Sequence, residues 1–421
     1  MNRIEEMIRE LCPNGVEYKA LGEIGTFVRG NGLQKKDFTE EGVGCIHYGQ
    51  IYTYYNLFAS QTKSYVDPIL ARKLTKVKTG DIIIACTSEN IEDVCKAIAW
   101  LGEDEIVTGG HASVFSHEQN PKYISYFFNT DNFFQQKKKY ARGAKVVDIK
   151  VGDIAKIEIP VPPLSIQEEI VTILDKFTEL EAELEAELEA RRKQYEYYRN
   201  RLLTFNEITP PRKSETKWLA MNEIGTFIRG NGLQKKDFVE RGVGCIHYGQ
   251  IYTYYGTFAK SAKSFVPPLL ANKLTKVESG DLIIACTSEN VEDICKAVAW
   301  LGDDTIVTGG HAIVFKHGQN AKYLAYYFQT DMFSDQKRRY VKGTKVMDIT
   351  ANDLGKIIIP IPQMEEQQHI VAILDKFETL VNDISEGLPV EIAARRQQYE
   401  YYRDKLLTFK RKEDAKIQPG C

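Results

Sequence analysis

The 421-residue sequence predicts a duplicated α/β (α+β) domain, each copy followed by a long α-helix, with the two helices pairing as an antiparallel coiled coil of pseudo-twofold symmetry. Three observations predict this. Residues 23–160 recur as 223–360 at a constant offset of 200, with roughly two thirds of the positions identical. Each copy is followed by a helix-forming stretch that closes on a shared arginine–tyrosine pattern, at 191–199 and again at 395–403. Between the copies, Glu179–Ala190 repeats the tetrapeptide ELEA three times. A repeat this long is a domain rather than a solenoid unit, and the chain exceeds one ordinary core.

Within each copy the elements follow in order. Leu21 to Arg29 alternates as an opening strand and is broken by Gly30-Asn31-Gly32. Val43 to Tyr55 is rich in β-branched and aromatic residues and reads as strands. Gly80-Asp81 turns the chain into a buried strand, Ile82–Cys86, followed by the polar loop Thr87-Ser88-Glu89-Asn90. Gly109-Gly110-His111 separates the next two strands. Pro121 opens a helix running to about Tyr140, with Tyr123, Phe127 and Phe128 inward. Ile157 to Pro163 closes the unit.

Ser165 and Glu168 then fit a capping box. Ile166, Ile170, Ile173, Phe177 and Leu180 follow coiled-coil spacing. Leu180, Leu184 and Leu188 insert two fours in succession, a stutter, before Arg191, Tyr195, Tyr198 and Leu202 resume the seam. The second helix differs: 370–377 matches 170–177 at offset 200, but 395–403 matches 191–199 at offset 204. Its four extra residues include Gly387 and Pro389, which break the helix. The expected division is 1–162, first α/β domain; 163–205, ELEA-bearing helix; 206–362, second domain; 363–412, broken C-terminal helix; and 413–421, tail.

Apolar content of 43% and charged content of 27% are those of a soluble globular chain. No stretch of about 18 apolar residues exists. Met1–Leu11 is charged and lacks a signal-peptide core, so the expected location is cytoplasmic. Eight cysteines contain no Cys-x-x-Cys pair and read as reduced, mostly buried thiols. His111 and His117 have no zinc spacing, and no metal site is expected. The sequence has no P-loop, no glycine-rich dinucleotide or methyl-donor fingerprint, and no Asn-Pro-Pro-aromatic motif. Asp81, Glu89, Glu92 and Asp93 lack a nuclease arrangement and read as surface carboxylates. No catalytic residue is expected.

The net charge of −3 excludes a uniformly basic nucleic-acid binder, but the charge is segregated. Acid collects in the ELEA stretch. Base collects in Lys137-Lys138-Lys139, Arg142 and Lys145, and again in Lys337-Arg338-Arg339, Lys342 and Lys345. Positions 23–55 and 80–112 hardly differ between copies, whereas 56–72 and 121–160 do, which points to a shared task in the quiet stretches.

The arrangement resembles the specificity subunit of type I restriction–modification systems over nearly the whole chain. The carrying features are GEIGTF at 22–27, IPVPPL at 159–164, QEEIVTILDKF at 167–177, the tetrapeptide spacer and RRKQYEYYR at 191–199. The resemblance implies a non-catalytic subunit. Each domain would read half of a bipartite double-stranded DNA target. The helices would hold two modification (methyltransferase) subunits and recruit restriction (motor–nuclease) subunits. S-adenosylmethionine, ATP and Mg would sit on those partners, with no cofactor in this chain and no membrane contact. Members of the family mostly carry two different domains. Here the copies are similar, so two similar inverted half-sites, a near-palindromic interrupted target, are expected. The competing reading is a scaffold or decoy that binds modification subunits without recognising a sequence.

Arginine suits guanine, and Asn or Gln suits adenine, while cations position phosphates. The candidate base readers are Arg29, Asn31, Gln34, Lys35 and Lys36 in the glycine-broken loop; His47, Tyr48 and Gln50; Thr87, Ser88 and Asn90 at a strand end; and His111. Lys137, Lys138, Lys139, Arg142 and Lys145 are the candidate phosphate contacts. The second copy supplies Arg229, Asn231, Gln234, Lys235, Lys236, His247, Tyr248, Gln250, Thr287, Ser288, Asn290 and His311, with Lys337, Arg338, Arg339, Lys342 and Lys345.

Overall fold

In a computed structural model the described residues are 2–143, 145–205, 216–382 and 387–412. The expected tail, 413–421, and the start of the second domain, 206–215, lie outside them. The chain divides into two compact units, one of residues 1–184 with 392–421 and the other of 185–391. Each unit therefore takes one α/β copy and a stretch of both long-helix regions.

In the first unit a five-stranded sheet runs in the order Gly25–Arg29, Ala112–His117, Ile82–Ala85, Ala97–Trp100, Phe58–Ala59. Its first three pairings are antiparallel and the last is parallel. Ile82–Ala85 is apolar throughout because both faces are covered. Ile82 and Ile84 join Phe115 and the helical core, whereas Ile83 and Ala85 join Ile98, Trp100 and Val114. That second core is closed by another sheet, in which Val43–Ile46 lies between Ser64–Val66 and Ile106–Thr108. The second copy repeats the arrangement.

Four local expectations are corrected. The expected opening strand Leu21–Arg29 is a short helix, Leu21–Ile24, followed by the strand Gly25–Arg29. Residues 48–53 form a helix, not a strand, because His47 and Gln50 cap it reciprocally. The expected helix from Pro121 to Tyr140 is two helices, Pro121–Phe127 and Asp131–Lys137, since Thr130 caps the second by accepting from the Phe133 N–H at 3.1 Å. Asp81 is buried rather than a surface carboxylate and accepts from the Lys78 N–H at 2.7 Å.

The first long helix runs from Leu164 to Leu203. Ser165 and Glu168 do not cap it, since Ser165 already lies inside the first turn. Instead Gln167, fully buried, accepts from the Asn120 N–H at 3.0 Å and donates to the Pro162 carbonyl at 2.8 Å, locking the helix start to the domain. The second region is two helices, Met364–Asn382 and Leu388–Leu406, with Gly387 and Pro389 at the start of the latter.

Helix pairing is antiparallel within each unit. In the first, Phe177 stacks on Tyr402 at 5.5 Å and Glu181 pairs with Arg396. In the second, Tyr198 stacks on Phe377 at 5.5 Å. The seam differs from expectation at one step. Leu180 is 47% exposed, and Glu181 takes the inward position. The run Phe177, Glu181, Leu184, Leu188 then spaces four, three, four, so no stutter falls within ELEA. In the second helix region Leu380 is likewise exposed and Val381 fully buried.

Candidate nucleic-acid interface

Two glycine turns fix the patch at one end of the central sheet. A Cβ on Gly30 would lie 2.0 Å from the Gly109 carbonyl oxygen, and one on Gly109 would lie 2.7 Å from Leu33 Cβ. The 30–32 and 109–111 turns can cross only because both are glycine there. Arg29 Nε donates to the Gly110 carbonyl at 3.4 Å, leaving most of its guanidinium exposed.

His47 sits at the start of the 48–53 helix. Its Nδ1 accepts from the Gly49 N–H at 3.1 Å, so the neutral ring carries its proton on Nε2. Burial, the Lys35 charge and His111 all lower its pKa and favour that neutral ring. Tyr48 packs between the two histidines, its ring centroid 4.5 Å from that of His47 and 4.8 Å from that of His111, tilted 43° and 46° to them. His111 Nδ1 then lies 3.1 Å from Thr87 Oγ1. Residues far apart in sequence thus make one chain of rings and hydroxyls. The second copy reproduces it, with 4.5 Å, 4.8 Å and 3.0 Å for His247–Tyr248, Tyr248–His311 and Thr287–His311. There, Leu233, Lys235, His247, Tyr248 and His311 line an open cleft.

In the second copy the hairpin from Lys342 to Asp348 folds back onto this patch, and in the first Arg142 and Val147–Asp148 do the same. Val147 and Asp148 pair with Ser88 and Thr87, and Arg142 bridges Asp148. Arg142 and Lys145 are exposed, as are Lys342 and Lys345 in the second copy, with Arg142 4.0 Å from Asp153 and Lys342 3.4 Å from Asp353. Gln34, Lys35 and Lys36, with Gln234, Lys235 and Lys236, are exposed as well. Arg229 differs from Arg29 by an ion pair with Asp348 at 3.0 Å. Lys138, Lys139, Arg338 and Arg339 are exposed after their short helices, Arg338 lying 3.6 Å from Glu292.

Several expected contacts are already committed elsewhere. Lys137 is 4% exposed, and its ammonium donates to the Glu92 and Val94 carbonyls at 2.8 and 2.6 Å; Lys337 does the same with Glu292 and Ile294. Both are staples of a turn in which Cys95 or Cys295 takes a positive φ, not phosphate contacts. Asn31 accepts from the Thr75 N–H and donates to the Lys73 carbonyl, both at 2.9 Å, and Asn231 matches it. Gln50 and Gln250 donate to Ser64 and Ser264 at 2.7 Å. Asn90 and Asn290 close turns on Asp93 and Asp293. Ser88 and Ser288 are half-buried, with their backbones in strand pairs. Two further participants join them: Tyr52, which the sequence marks as one of the tyrosines beside His47 and Gln50, and Val146, which it does not mark. Tyr52 OH donates to the Thr87 carbonyl at 2.7 Å and so positions it. Val146 stands exposed in the hairpin.

Residues 13–190 and 217–394 both match the family described as "Type I restriction modification DNA specificity domain". The chain belongs to that family. It is 35% identical over 302 residues to the Escherichia coli EcoR124I/EcoR124II specificity subunit, covering 69% of this chain and 72% of the relative. It is 30% identical over 305 residues to the putative specificity subunit S.HindORF215P of Haemophilus influenzae, with the same coverage of 69% and 72%. Among solved structures, a chain from work on complex assembly and conformational transition of the type I system aligns over 93% of this chain and 97% of its own length. Its TM-score is 0.60 at 17% identity. The type I S subunit of M. genitalium aligns over 93% and 96%, with a TM-score of 0.50 at 15% identity. At these identities the structural likeness is one of fold.

The family match covers both copies, and each builds the same cluster from the same turns; His47, Thr87, His247 and Thr287 are buried in it, contrary to the expectation that they are open base readers. Among the described residues, no cluster of three or more His, Cys, Asp or Glu is placed to hold a metal ion. No helix among them is long and apolar enough to cross a membrane. Among the described residues the cysteines are free thiols, all buried but the half-buried Cys12, and burial pushes the Cys45 thiol up to about 12.

Proposed function

We propose that this specificity chain is the non-catalytic DNA-reading subunit of a type I complex, each domain binding one half of a bipartite target through its glycine-crossed patch. The observation that carries the reading is the duplication of the His47–Tyr48–His111–Thr87 cluster as His247–Tyr248–His311–Thr287, with the same geometry and flanking cations. Two copies of one reader call for two similar half-sites. If the two half-sites are read in inverted order, the target is near-palindromic and interrupted. The paired helices would dock two modification subunits and, through them, restriction subunits. S-adenosylmethionine, ATP and Mg would be held by those partners.

The test is the methylated motif in DNA from cells expressing this chain with its modification partner. Two related half-sequences in inverted order support the reading. Two unrelated ones overturn the shared-reader argument. A gel shift on selected and random DNA separates the reading from a scaffold: equal or absent binding of both DNAs would leave only the scaffold role.

A further inference from the structure

The hairpin that closes each patch ends in an apolar side chain held out in solvent. In the second copy, Lys342 and Asp348 exchange both backbone hydrogen bonds, at 3.0 and 2.8 Å. Gly343 adopts φ +107°, and a Cβ there would lie 2.1 Å from the Val346 carbonyl oxygen, so the tight turn depends on glycine. Met347 and Asp348 pair with Ser288 and Thr287, tying the hairpin to the strand that carries the Thr287–His311 pair. Val346 is nevertheless 60% exposed, and its counterpart Val146 is 61% exposed. The flanking positions are basic in both copies: Lys342 and Lys345, Arg142 and Lys145.

A two-stranded ribbon that holds out an apolar side chain beside the exposed Lys145 or Lys345 suits duplex DNA, since the major groove admits a β-ribbon. Valine is smaller than the side chains that wedge between base steps. Its methyl groups suit the one apolar feature of the major groove, the thymine 5-methyl. We propose that Val146 and Val346 each contact a thymine 5-methyl group in the half-site read by their own domain. The proposal rests on the DNA-reading function above and deepens it by naming a specificity residue and the group it meets.

The experiment uses the full chain with its modification partner and duplexes carrying the methylated motif. Each half-site thymine is replaced in turn by deoxyuridine, which removes only the 5-methyl group. The expected result is a loss of about three- to fivefold in affinity at one thymine per half-site, the size of one buried methyl. The V146A/V346A double variant should bind the all-thymine duplex more weakly by a similar factor and no longer distinguish thymine from uracil at that position. A V146T/V346T variant of nearly the same shape controls for altered folding; it should retain the wild-type melting temperature. A flat deoxyuridine profile with binding intact overturns the valine assignment alone, as does a half-site without an A·T pair. Discrimination that survives in both variants overturns it too. Absence of any specific DNA binding overturns the parent reading as well.

Discussion

Arg396 reaches back 215 residues to Glu181, its Nε and Nη2 both meeting one carboxylate oxygen, at 2.7 and 2.6 Å. The pair fixes the register of the helices in the first unit. Arg396 is half-exposed, so the pair is worth about 1 kcal/mol or less. Reversing one charge puts like charges together. R396E or E181R alone should lower the melting temperature by about 2–4 °C, and E181R/R396E should recover most of it. No recovery in the double variant would show that the two side chains act separately. The second unit has Val381 at the matching position, buried, and needs no such pair.

The lysine cluster should divide by function. K138A/K139A should weaken binding to all DNA alike and reduce the salt slope by up to about two, roughly 0.9 for each phosphate no longer neutralised. K137M should leave that slope unchanged but destabilise the fold by about 1–3 kcal/mol, because two buried carbonyls lose their donor. Salt-titrated binding and thermal melts on both variants check the division. A smaller salt slope in K137M would return Lys137 to the interface.

Within the patch, Gln34 and Asn31 should also part. Gln34 is exposed, and its Ala variant should relax preference at one base pair, by about 1–3 kcal/mol against the wrong base. Asn31 holds the strand at Thr75, so N31A should lower stability and affinity together without changing the preferred sequence. Selection of binding sites for each variant reads the difference.

These contrasts show where the sequence was legible. Ile82–Ala85 announced itself because a strand buried on both faces must be apolar at every position. The 30–32 and 109–111 glycines were legible as turns, and their crossing makes the patch. Lys137 was not legible: three adjacent lysines look alike until the packing of the Asp131–Lys137 helix turns one inward. Residues 48–53 misled because Tyr and Ile favour strands, whereas the His47–Gln50 cap decides the outcome. The choice between Leu180 and Glu181 depends on Arg396 on the partner helix, which the periodicity of a single helix does not contain.

Two half-buried histidines predict acid sensitivity. His117 and His317 accept from the Gln119 and Gln319 N–H groups through Nδ1, and their Nε2 atoms are buried without a partner. Burial lowers both pKa values to about 4, although Asp81 and Asp281 oppose the shift. Since the unfolded value is about 6.5, the unfolded chain takes up protons first as pH falls. The stabilisation is complete above about 6.5 and is lost progressively down to about 4, by up to about 3 kcal/mol per histidine. H117Q/H317Q should flatten the melting temperature between about pH 6.5 and 4. An unchanged pH profile would place the acid sensitivity elsewhere.

The ELEA stretch gives the sharpest geometric prediction. Its three repeats lie inside one uninterrupted helix, Leu164–Leu203. Deleting Glu183–Ala186 removes one repeat yet retains both Glu181 and Leu188, so Leu188 moves into the place of Leu184 on the seam. The deletion removes about 6 Å of helix and rotates the C-terminal remainder of that helix by about 40°. B-DNA rises about 3.4 Å per base pair along a strand. If the helix sets the distance between the two readers, the gap in the methylated motif should shorten by about one or two base pairs while both half-sites stay the same. The second helix region carries no ELEA and is described as two helices, Met364–Asn382 and Leu388–Leu406, so the deletion acts on the first helix alone. An unchanged gap would mean that the stretch links the domains without measuring them. Altered half-sites would mean that the deletion disturbs the readers themselves.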